Sequence, residues 1–339
     1  MQRIFSQGWR YTFANRIDQS GFMQAEDRAR TVQSELGLAL GGGGMRGWAH
    51  IGVLSVLERY GLRPGVVAGC SAGALVGAFY AFGYSVAQMK QLMREQRTRT
   101  LFALRFDGQG LISNEPLREY LRVHLQDCHF EELPVPFYVV ATDLESGKEV
   151  IFKRGPVVDA VLASSAIPGI FAPVEIDGRL LVDGGLCNNV PVSPLVHHGV
   201  RYTIAVRLHR ESTALEPSPV KRRRNGDEAG EGRRISLGMW SERLSRRFRR
   251  NGSDRQPNGF DVLGRAMEIV VTQLEGYRLQ TCRPDVLIAP DVSHVGMLSL
   301  WEEKEEIFQR GVAAAEAQAA ALKAIAQRLA TATSTATDL

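Results

Sequence analysis

The chain has 339 residues, of which 44% are hydrophobic and 23% are charged. This composition suits a globular protein with a sizeable core and excludes an intrinsically disordered chain. The net charge of +4 is uneven. Residues 210–258 carry 13 Lys/Arg against 7 Asp/Glu, and the rest of the chain is slightly acidic. The basic character therefore belongs to one segment.

The cysteines and the termini indicate the compartment. The four cysteines, at 70, 128, 187 and 282, have neither metal-ligand spacing nor a disulfide framework. We expect Cys70 and Cys187, both in glycine-rich turns, to be buried thiols of a reducing compartment. The N-terminus has no apolar run typical of a signal peptide. The longest uncharged stretch, Val66–Gln88, is glycine-rich and predicts a buried strand-turn-helix. We expect a cytoplasmic protein.

Residues 1–33 form the first predicted element, an amphipathic helical arm. Phe5, Trp9, Phe13 and Ile17 are spaced four apart, with arginines among them. This spacing predicts an apolar stripe on a helix. Two interpretations remain: the helix packs on the body or on a partner chain, or it anchors the protein at a membrane interface.

From residue 34 the chain alternates between strands and helices. The predicted strands are Leu36–Leu40, Val66–Ala68, Phe137–Thr142, Glu149–Phe152, Pro173–Ile176, Arg179–Val182, Tyr202–Val206 and Asp285–Ala289. The predicted helices are Trp48–Tyr60, Ala72–Phe82, 85–126 with a break at Gly108–Gly110, Val157–Ser165, Phe260–Leu279 and Trp301–Leu329. Asp177-Gly178 predicts a two-residue hairpin. The pattern predicts a three-layer α/β/α domain over 34–330 with a mostly parallel sheet, followed by a frayed tail at 331–339.

A basic insertion at 210–258 interrupts this domain and is expected to be mobile. Within it, 235–250 predicts a basic amphipathic helix, since Leu237, Trp240, Leu244 and Phe248 fall on one face among arginines. This helix either docks on the protein's own surface or contacts an anionic membrane. Nucleic-acid binding is disfavoured, because the arginine run lacks interleaved aromatic residues.

The loop from Gly41 to Gly47 lies between a strand and a helix. Its Gly42-x-Gly44-x-x-Gly47 spacing matches a dinucleotide fingerprint, but no acid ends the following strand to bind a ribose. A P-loop is excluded as well, since no Gly-Lys-Ser/Thr follows. The remaining interpretation is a glycine loop at a helix N-terminus, which favours a negative oxygen. Arg46 either holds this loop, binds an anionic headgroup, or forms an ordinary surface salt bridge.

A second glycine turn, Gly69-x-Ser71-x-Gly73, follows the next strand and begins a helix. In that context the pattern is typical of a nucleophile elbow, in which the glycines permit a sharp turn that presents Ser71 Oγ. A serine beside a loop of free N–H groups predicts an acyl-transfer site with Ser71 as nucleophile. The residues imply no cofactor and no metal.

The serine requires a base, and none of the seven histidines lies in a glycine-marked turn at a strand end. His50 is expected to be a structural, hydrogen-bonded histidine. His209 and His294 lie nearest to strand ends but lack neighbouring glycines.

Asp183, followed by Gly184-Gly185, has those glycines, so its carboxylate could act on Ser71 directly as the base of a dyad. We expect Asp183 to be partly desolvated, because an ordinary aspartate is a weak base. Asp143, also at a strand end, is the competing acid; its other role would be to cap the turn at 145–147.

Three motifs occur in order: LALGGGGMRGWAHIGVL, GCSAG and DGG, the last within ASSAIPGIFAPVEIDGRLLVDGG. Together they resemble the patatin-like phospholipase family, most closely its bacterial cytoplasmic members, over residues 34–210 and more weakly over 260–325. The resemblance implies a Ser71–Asp183 dyad and hydrolysis of acyl esters of phospholipids or lysophospholipids. It also implies an oxyanion hole formed by Gly41, Gly42, Gly43, Gly44, Arg46 and Gly47. Cys70 and the basic insertion depart from the common pattern.

The sequence thus predicts a serine lipid acyl hydrolase that works through an acyl-enzyme, at the inner face of the membrane if 235–250 binds lipid. The alternative is a non-catalytic lipid- or partner-binding module on the same fold, which the intact dyad and glycine loop disfavour. The preferred acyl chain, headgroup and ester position, the acyl acceptor and the oligomeric state stay open.

Overall fold

A computed structural model describes residues 35–95, 103–104, 112–208, 259–292, 294–295 and 304–337. The predicted N-terminal arm at 1–33 and the basic insertion at 210–258, with its amphipathic helix at 235–250, lie outside the described residues. His209 lies outside them as well. The assignments made for these segments remain predictions.

Within the described residues eight strands form one sheet. They are β1 (Leu36–Leu40), β2 (Val66–Cys70), β5 (Phe137–Asp143), β6 (Glu149–Phe152), β7 (Val174–Ile176), β8 (Arg179–Asp183), β9 (Tyr202–Val206) and β10 (Val286–Ile288). The order is β10-β9-β1-β2-β5-β8-β7, and β6 also pairs with β5. The first five strands of that order are mutually parallel, whereas β6, β7 and β8 are joined by antiparallel pairing. The prediction of a mostly parallel sheet is confirmed.

The described helices are α1 (Trp48–Arg59), α2 (Ala72–Phe82), α3 (Val86–Glu95), α4 (Glu115–Leu125), α5 (Val157–Ser164), α6 (Gly185–Asn188), α7 (Ser193–His198), α8 (Gly259–Thr281), α9 (Lys304–Glu316) and α10 (Ala319–Thr337). Two short 3₁₀ turns span Gly44–Gly47 and Phe130–Glu132, and β3 (Ala103–Leu104) pairs with β4 (Ile112–Ser113) in a separate ribbon. No described helix is both long and apolar enough to cross a membrane.

Alternate side chains of β1 enter two different hydrophobic clusters. Leu36, Leu38 and Leu40 join the larger cluster, which contains buried residues of α1, α2, α5, α9 and α10. Ala39 joins a smaller cluster with residues such as Leu195 of α7 and Leu279 of α8. Since successive strand residues point to opposite faces, helices cover both faces of the sheet. The predicted three-layer α/β/α architecture is therefore confirmed.

The hairpin predicted at Asp177-Gly178 is present and joins β7 to β8. Both turn residues have positive φ, 51° and 72°, as a two-residue hairpin of this kind requires. The hairpin matters for function because its second strand ends at Asp183.

Two helical predictions need correction. The helix predicted at Trp301–Leu329 is two helices, α9 and α10, with a turn at 317–318, and α10 continues to Thr337 through most of the predicted tail. No Pro or Gly marks the break. Ala315 and Leu322 are buried on either side of it, so both helices pack against the core. The helix predicted at 85–126 is described as α3 and α4, with β3 and β4 between them.

Candidate active site

The sheet register brings Ser71 and Asp183 to one level. Cys70 of β2 is paired with Val140 of β5, so Ser71 continues the chain opposite Ala141. Ala141 is in turn paired with Asp183 of β8, which lies on the same side of β5 as β2 because β6 occupies the other side. The antiparallel strand β8 therefore ends at Asp183 where β2 ends at Cys70, so that Ser71 and Asp183 approach each other beside one position of β5. The predicted pair of nucleophile and base is brought together, although the two lie 112 positions apart in the sequence.

The backbone at Ser71 is strained. Ser71 has φ 52° and ψ −119°, a conformation costly for a non-glycine residue by about 1–3 kcal/mol. It lies between β2 and α2, and its side chain is buried. At Gly73 a Cβ would lie 2.0 Å from the Leu40 carbonyl oxygen, so only glycine permits this close turn. The local geometry predicted from the Gly-x-Ser-x-Gly pattern is confirmed.

Asp183 is held in one orientation by its neighbours. The Gly185 N–H donates to Asp183 Oδ1 at 2.8 Å, and Thr142 Oγ1 donates to the Asp183 carbonyl at 3.0 Å. The Asp183 N–H donates to the Ala166 carbonyl at 3.0 Å. The residue is only 9% exposed, which confirms the predicted desolvation.

Ser164, the last residue of α5, connects the two halves of the site. Its Oγ accepts the Ser71 N–H at 2.8 Å and donates to the Val140 carbonyl at 2.6 Å. Its own carbonyl accepts the Gly184 N–H at 3.4 Å, next to Asp183. Ser164 is fully buried. The sequence analysis did not assign it a role, and its position within the family-like stretch ASSAIPG was the available signal.

The glycine loop offers fewer donors than predicted. The Gly41 N–H donates to the Val206 carbonyl at 3.0 Å, and the Gly42 N–H donates to the Asn189 carbonyl at 3.1 Å. The prediction that these two N–H groups are free is therefore wrong, because each already donates to a backbone carbonyl, one in β9 and the other at Asn189. Within the described part of the chain the N–H groups of Gly43 and Gly44 have no hydrogen-bond partner, so these two can serve a ligand.

Asn189 was missed by the sequence analysis, although it follows Asp183-Gly184-Gly185 closely. A Cβ on Gly42 would lie 2.5 Å from Asn189 Oδ1, and one on Gly185 would lie 3.0 Å from it. Asn189 Nδ2 donates to Glu275 Oε2 of α8 at 2.6 Å, and Glu275 is buried. Asn189 therefore lies between the glycine loop and the Asp183 turn and fastens both to α8.

Arg46 of the glycine loop is anchored to two other segments of the chain. Its Nε donates to the Val295 carbonyl at 2.8 Å, and its Nη1 pairs with Glu268 Oε1 at 3.1 Å. The side chain is buried. Of the predicted alternatives, these contacts support holding the loop, and the surface salt bridge is wrong because the Arg46 side chain is only 6% exposed. Headgroup binding stays a prediction. Gly47 closes the 3₁₀ turn that contains Arg46, beside Ala72 of α2.

The competing acids and bases have other partners. His50 Nε2 lies 2.7 Å from the Gly41 carbonyl, and burial lowers the pKa of His50 to about 4, so it is the predicted structural histidine. Asp143 Oδ1 accepts the N–H groups of Glu145 and Ser146, and the Ser146 hydrogen bond lowers the pKa of Asp143. Asp143 thus caps its turn. His294 pairs with Glu306 at 3.4 Å.

The cysteines are free thiols. Cys70 is buried as predicted, and its Sγ lies 3.9 Å from Asp183 Oδ1. Burial, and next the charge of Asp183, raise the pKa of this thiol, so it stays protonated beside the carboxylate. Cys187 is only half-buried and donates to the Gly147 carbonyl, which corrects its predicted place in the interior. Among the described residues no group of three or more His, Cys, Asp or Glu side chains could hold a metal ion.

Comparison with known proteins gives one family. The family model described as "Patatin-like phospholipase" matches residues 38–196, a range that contains the glycine loop, Ser71, Ser164, Asp183 and Asn189.

Two relatives show how far the likeness extends. An uncharacterized NTE family protein of Mycobacterium tuberculosis is 38% identical over 215 residues, which cover 62% of this chain and 55% of the relative. Lysophospholipase NTE1 of Cryptococcus neoformans is 32% identical over 189 residues, covering 52% of this chain and 11% of the fungal protein. The chain thus spans about half the length of its mycobacterial relative.

One solved structure is more distant. The crystal structure of VipD from Legionella pneumophila aligns with 86% of this chain and 67% of its own, at a TM-score of 0.42 and 14% identity. A likeness of this degree carries no argument about the site.

Proposed function

Because residues 38–196 belong to the patatin-like phospholipase family, we propose that this chain is a serine acyl-ester hydrolase acting on phospholipids or lysophospholipids. The family is one of lipid hydrolases, and the name of the fungal relative states lysophospholipase activity. Ser71 is the nucleophile and Asp183 the base. The acyl chain is transferred to Ser71 and then to water.

In the first half-reaction Asp183 accepts the proton of Ser71 Oγ while that oxygen attacks the ester carbonyl carbon. The tetrahedral intermediate collapses, the ester C–O bond breaks, and the departing alcohol takes the proton back from Asp183. Water then adds to the acyl-Ser71 ester with Asp183 again as base. Release of the fatty acid returns the proton to Ser71 Oγ.

The negative oxygen of the tetrahedral intermediate is bound by the N–H groups of Gly43 and Gly44. These two groups follow the engaged Gly41 and Gly42 N–H groups in the chain. The adjoining 3₁₀ turn and α1 add the positive end of a helix. In other serine hydrolases the loss of one such donor raises the barrier by about 3–4 kcal/mol, so this pair is a large part of the proposed catalysis.

The observation that carries the proposal is the connection made by Ser164. Ser164 holds the strained Ser71 backbone through its side-chain Oγ, and its backbone carbonyl holds Gly184 beside the base. If Ser71 were an inert residue of a glycine-rich turn, its backbone N–H would not need to be held by a second buried serine. Nor would that same serine need to hold the turn that contains Asp183. The connection is what an enzyme requires to keep nucleophile and base aligned through two half-reactions.

The test is a lipid-class screen of wild-type protein against Ser71→Ala, with fatty acid release followed by mass spectrometry. Ser55→Ala is the matched control, since Ser55 Oγ only donates to the Gly52 carbonyl within α1. We expect wild type and Ser55→Ala to release fatty acid and Ser71→Ala to release none above background. Equal release by wild type and Ser71→Ala would overturn the assignment of Ser71 as nucleophile. Lipid binding without turnover by wild type would favour the non-catalytic module.

A further inference from the structure

Helix α8 has its polarity reversed relative to an ordinary surface helix. An amphipathic helix normally turns its apolar face to the core and its charges to water. On α8, in contrast, six large apolar side chains are between 38% and 66% exposed. We call this set the outer stripe; its members are Val262, Leu263, Ile269, Val270, Leu274 and Tyr277.

Four members of the outer stripe lie along one side of α8, and Val262 and Ile269 lie about 100° further round the helix. Leu263, Val270, Leu274 and Tyr277 are spaced seven, four and three apart, which places them on one side of the helix. The acids Glu268 and Glu275 lie on the other side, where Glu275 is buried and Glu268 pairs with buried Arg46. Exposed apolar patches of this kind mark interaction sites.

The inner side of α8 is fastened to the candidate active site. Glu268 pairs with Arg46 of the glycine loop, and Glu275 accepts from Asn189, whose carbonyl holds the Gly42 N–H. At one end of the stripe, Leu263 Cδ2 lies 3.9 Å from where a Cβ on Gly169 would be. Gly169 is three residues after Ala166, the residue that holds the Asp183 backbone. The outer stripe therefore borders the site.

We propose that the outer stripe docks the protein onto the surface of a phospholipid aggregate, which rests on the proposed function. The stripe contains no charged side chain, so its occupant is apolar. Arg278, four residues after Leu274, lies beside the stripe, and its side chain is more exposed than that of its partner Glu149, at 44% against 17%. An apolar band with a cationic margin matches acyl chains beneath anionic headgroups, as in helices that lie in the membrane interface.

Docking in this manner brings lipid to the helix that supports the candidate site. The opposite side of α8 holds Arg46 and Asn189, so the surface that binds lipid and the loop proposed to bind the oxyanion are connected through one helix. Lipid at Leu263 lies beside the segment 166–169, whose first residue holds the Asp183 backbone.

The test uses the full chain and vesicles of equimolar phosphatidylcholine and phosphatidylglycerol, with binding measured by co-flotation. Val270→Asp places a charge in the stripe. Val123→Asp on α4 is the matched control, because the two valines are 50% and 52% exposed and both lie on helices. We expect Val270→Asp to lower vesicle partitioning by about tenfold and Val123→Asp to leave it unchanged. Leu274→Asp should reproduce the loss.

Hydrolysis of a soluble nitrophenyl ester separates docking from catalysis. If docking uses the stripe, Val270→Asp loses vesicle binding and vesicle hydrolysis but cleaves the soluble ester at the wild-type rate, which also shows that it folds. If wild type binds vesicles through the stripe but cleaves no ester, the docking inference stands and the proposed function fails. Unchanged vesicle binding by Val270→Asp overturns the inference. The stripe is a dimer interface instead if wild type is a dimer in solution and Val270→Asp makes it a monomer without changing vesicle binding.

Discussion

The Oγ of Ser164 lies 2.8 Å from the backbone nitrogen of Ser71. Ser164 is on α5 and Ser71 is on the turn before α2, so the contact joins two helices at the edge of the sheet. It stabilises a backbone conformation that Ser71 would not adopt by itself. The nucleophile is therefore positioned by a residue 93 positions further along the chain.

Ser164→Ala removes this contact and leaves the buried Ser71 N–H without an acceptor. An unsatisfied buried donor costs about 1–3 kcal/mol, so we expect kcat to fall roughly 10- to 100-fold. KM should change little, because Ser164 is buried and does not meet substrate. Steady-state kinetics on a soluble ester measures both constants.

The same variant separates positioning from general stability. Ser164→Cys keeps a weak acceptor of similar size and should give an intermediate kcat. A fall in melting temperature with kcat unchanged would show that Ser164 is only structural.

Asp183→Asn retains an oxygen for the Gly185 N–H but cannot accept the Ser71 proton. Loss of a general base lowers the rate by about 10²- to 10⁴-fold, and we expect kcat to fall within that range. Asp143→Asn is the control, since Asp143 caps an exposed turn and should matter little to rate. Single-turnover ester cleavage measures both rates. The assignment of the base is wrong if Asp143→Asn cleaves the ester more slowly than Asp183→Asn.

His50 predicts a pH dependence of stability. Its folded-state pKa of about 4 lies below the ordinary 6.5, so the unfolded chain binds more protons between these values. Stability is then full above about pH 6.5 and declines as the pH falls toward 4, by about 2–3 kcal/mol from this residue. His50→Gln keeps a donor for the Gly41 carbonyl without titrating near neutral pH.

Urea unfolding at neutral pH and near pH 4.5 measures the difference. Wild type should lose about 2 kcal/mol more stability than His50→Gln over this interval. An identical loss in the two proteins would mean that His50 does not titrate as its burial requires.

Gly42→Ala tests the tight contact between the glycine loop and Asn189. A Cβ there would lie 2.5 Å from Asn189 Oδ1 and 3.2 Å from Ser71 Cβ, so the loop must move. A displacement near 1 Å at a catalytic site costs about 100-fold in rate, and we expect a loss of that order in kcat. Gly264→Ala on α8 is the control, as a Cβ there meets nothing within 4 Å. Equal ester cleavage by the two variants would contradict a role for the loop.

Much of the fold follows from local patterns. β1, α2 and β9 have the predicted bounds, because unbroken apolar runs and glycine turns delimit them. The Asp177-Gly178 turn likewise depends on two adjacent residues. The break between α9 and α10 was not predictable, because no proline or glycine marks it in the sequence.

The candidate site, too, was only partly predictable from the sequence. Ser71 and Asp183 are predictable because glycines that permit sharp turns accompany each of them. Ser164, Asn189 and Glu275 act through hydrogen bonds to residues 86 or more positions away, and nothing in their local sequence indicates those partners. The engaged N–H groups of Gly41 and Gly42 were missed for the same reason, since their acceptors are on distant segments.

Covalent labelling tests the central claim most directly. A fluorophosphonate forms a stable adduct with an activated serine, and peptide mass spectrometry locates it. We predict one adduct, on Ser71, absent in Ser71→Ala and formed much more slowly in Asp183→Asn. An unlabelled wild-type Ser71, or labelling unaffected by Asp183→Asn, would contradict a nucleophile at Ser71 activated by Asp183.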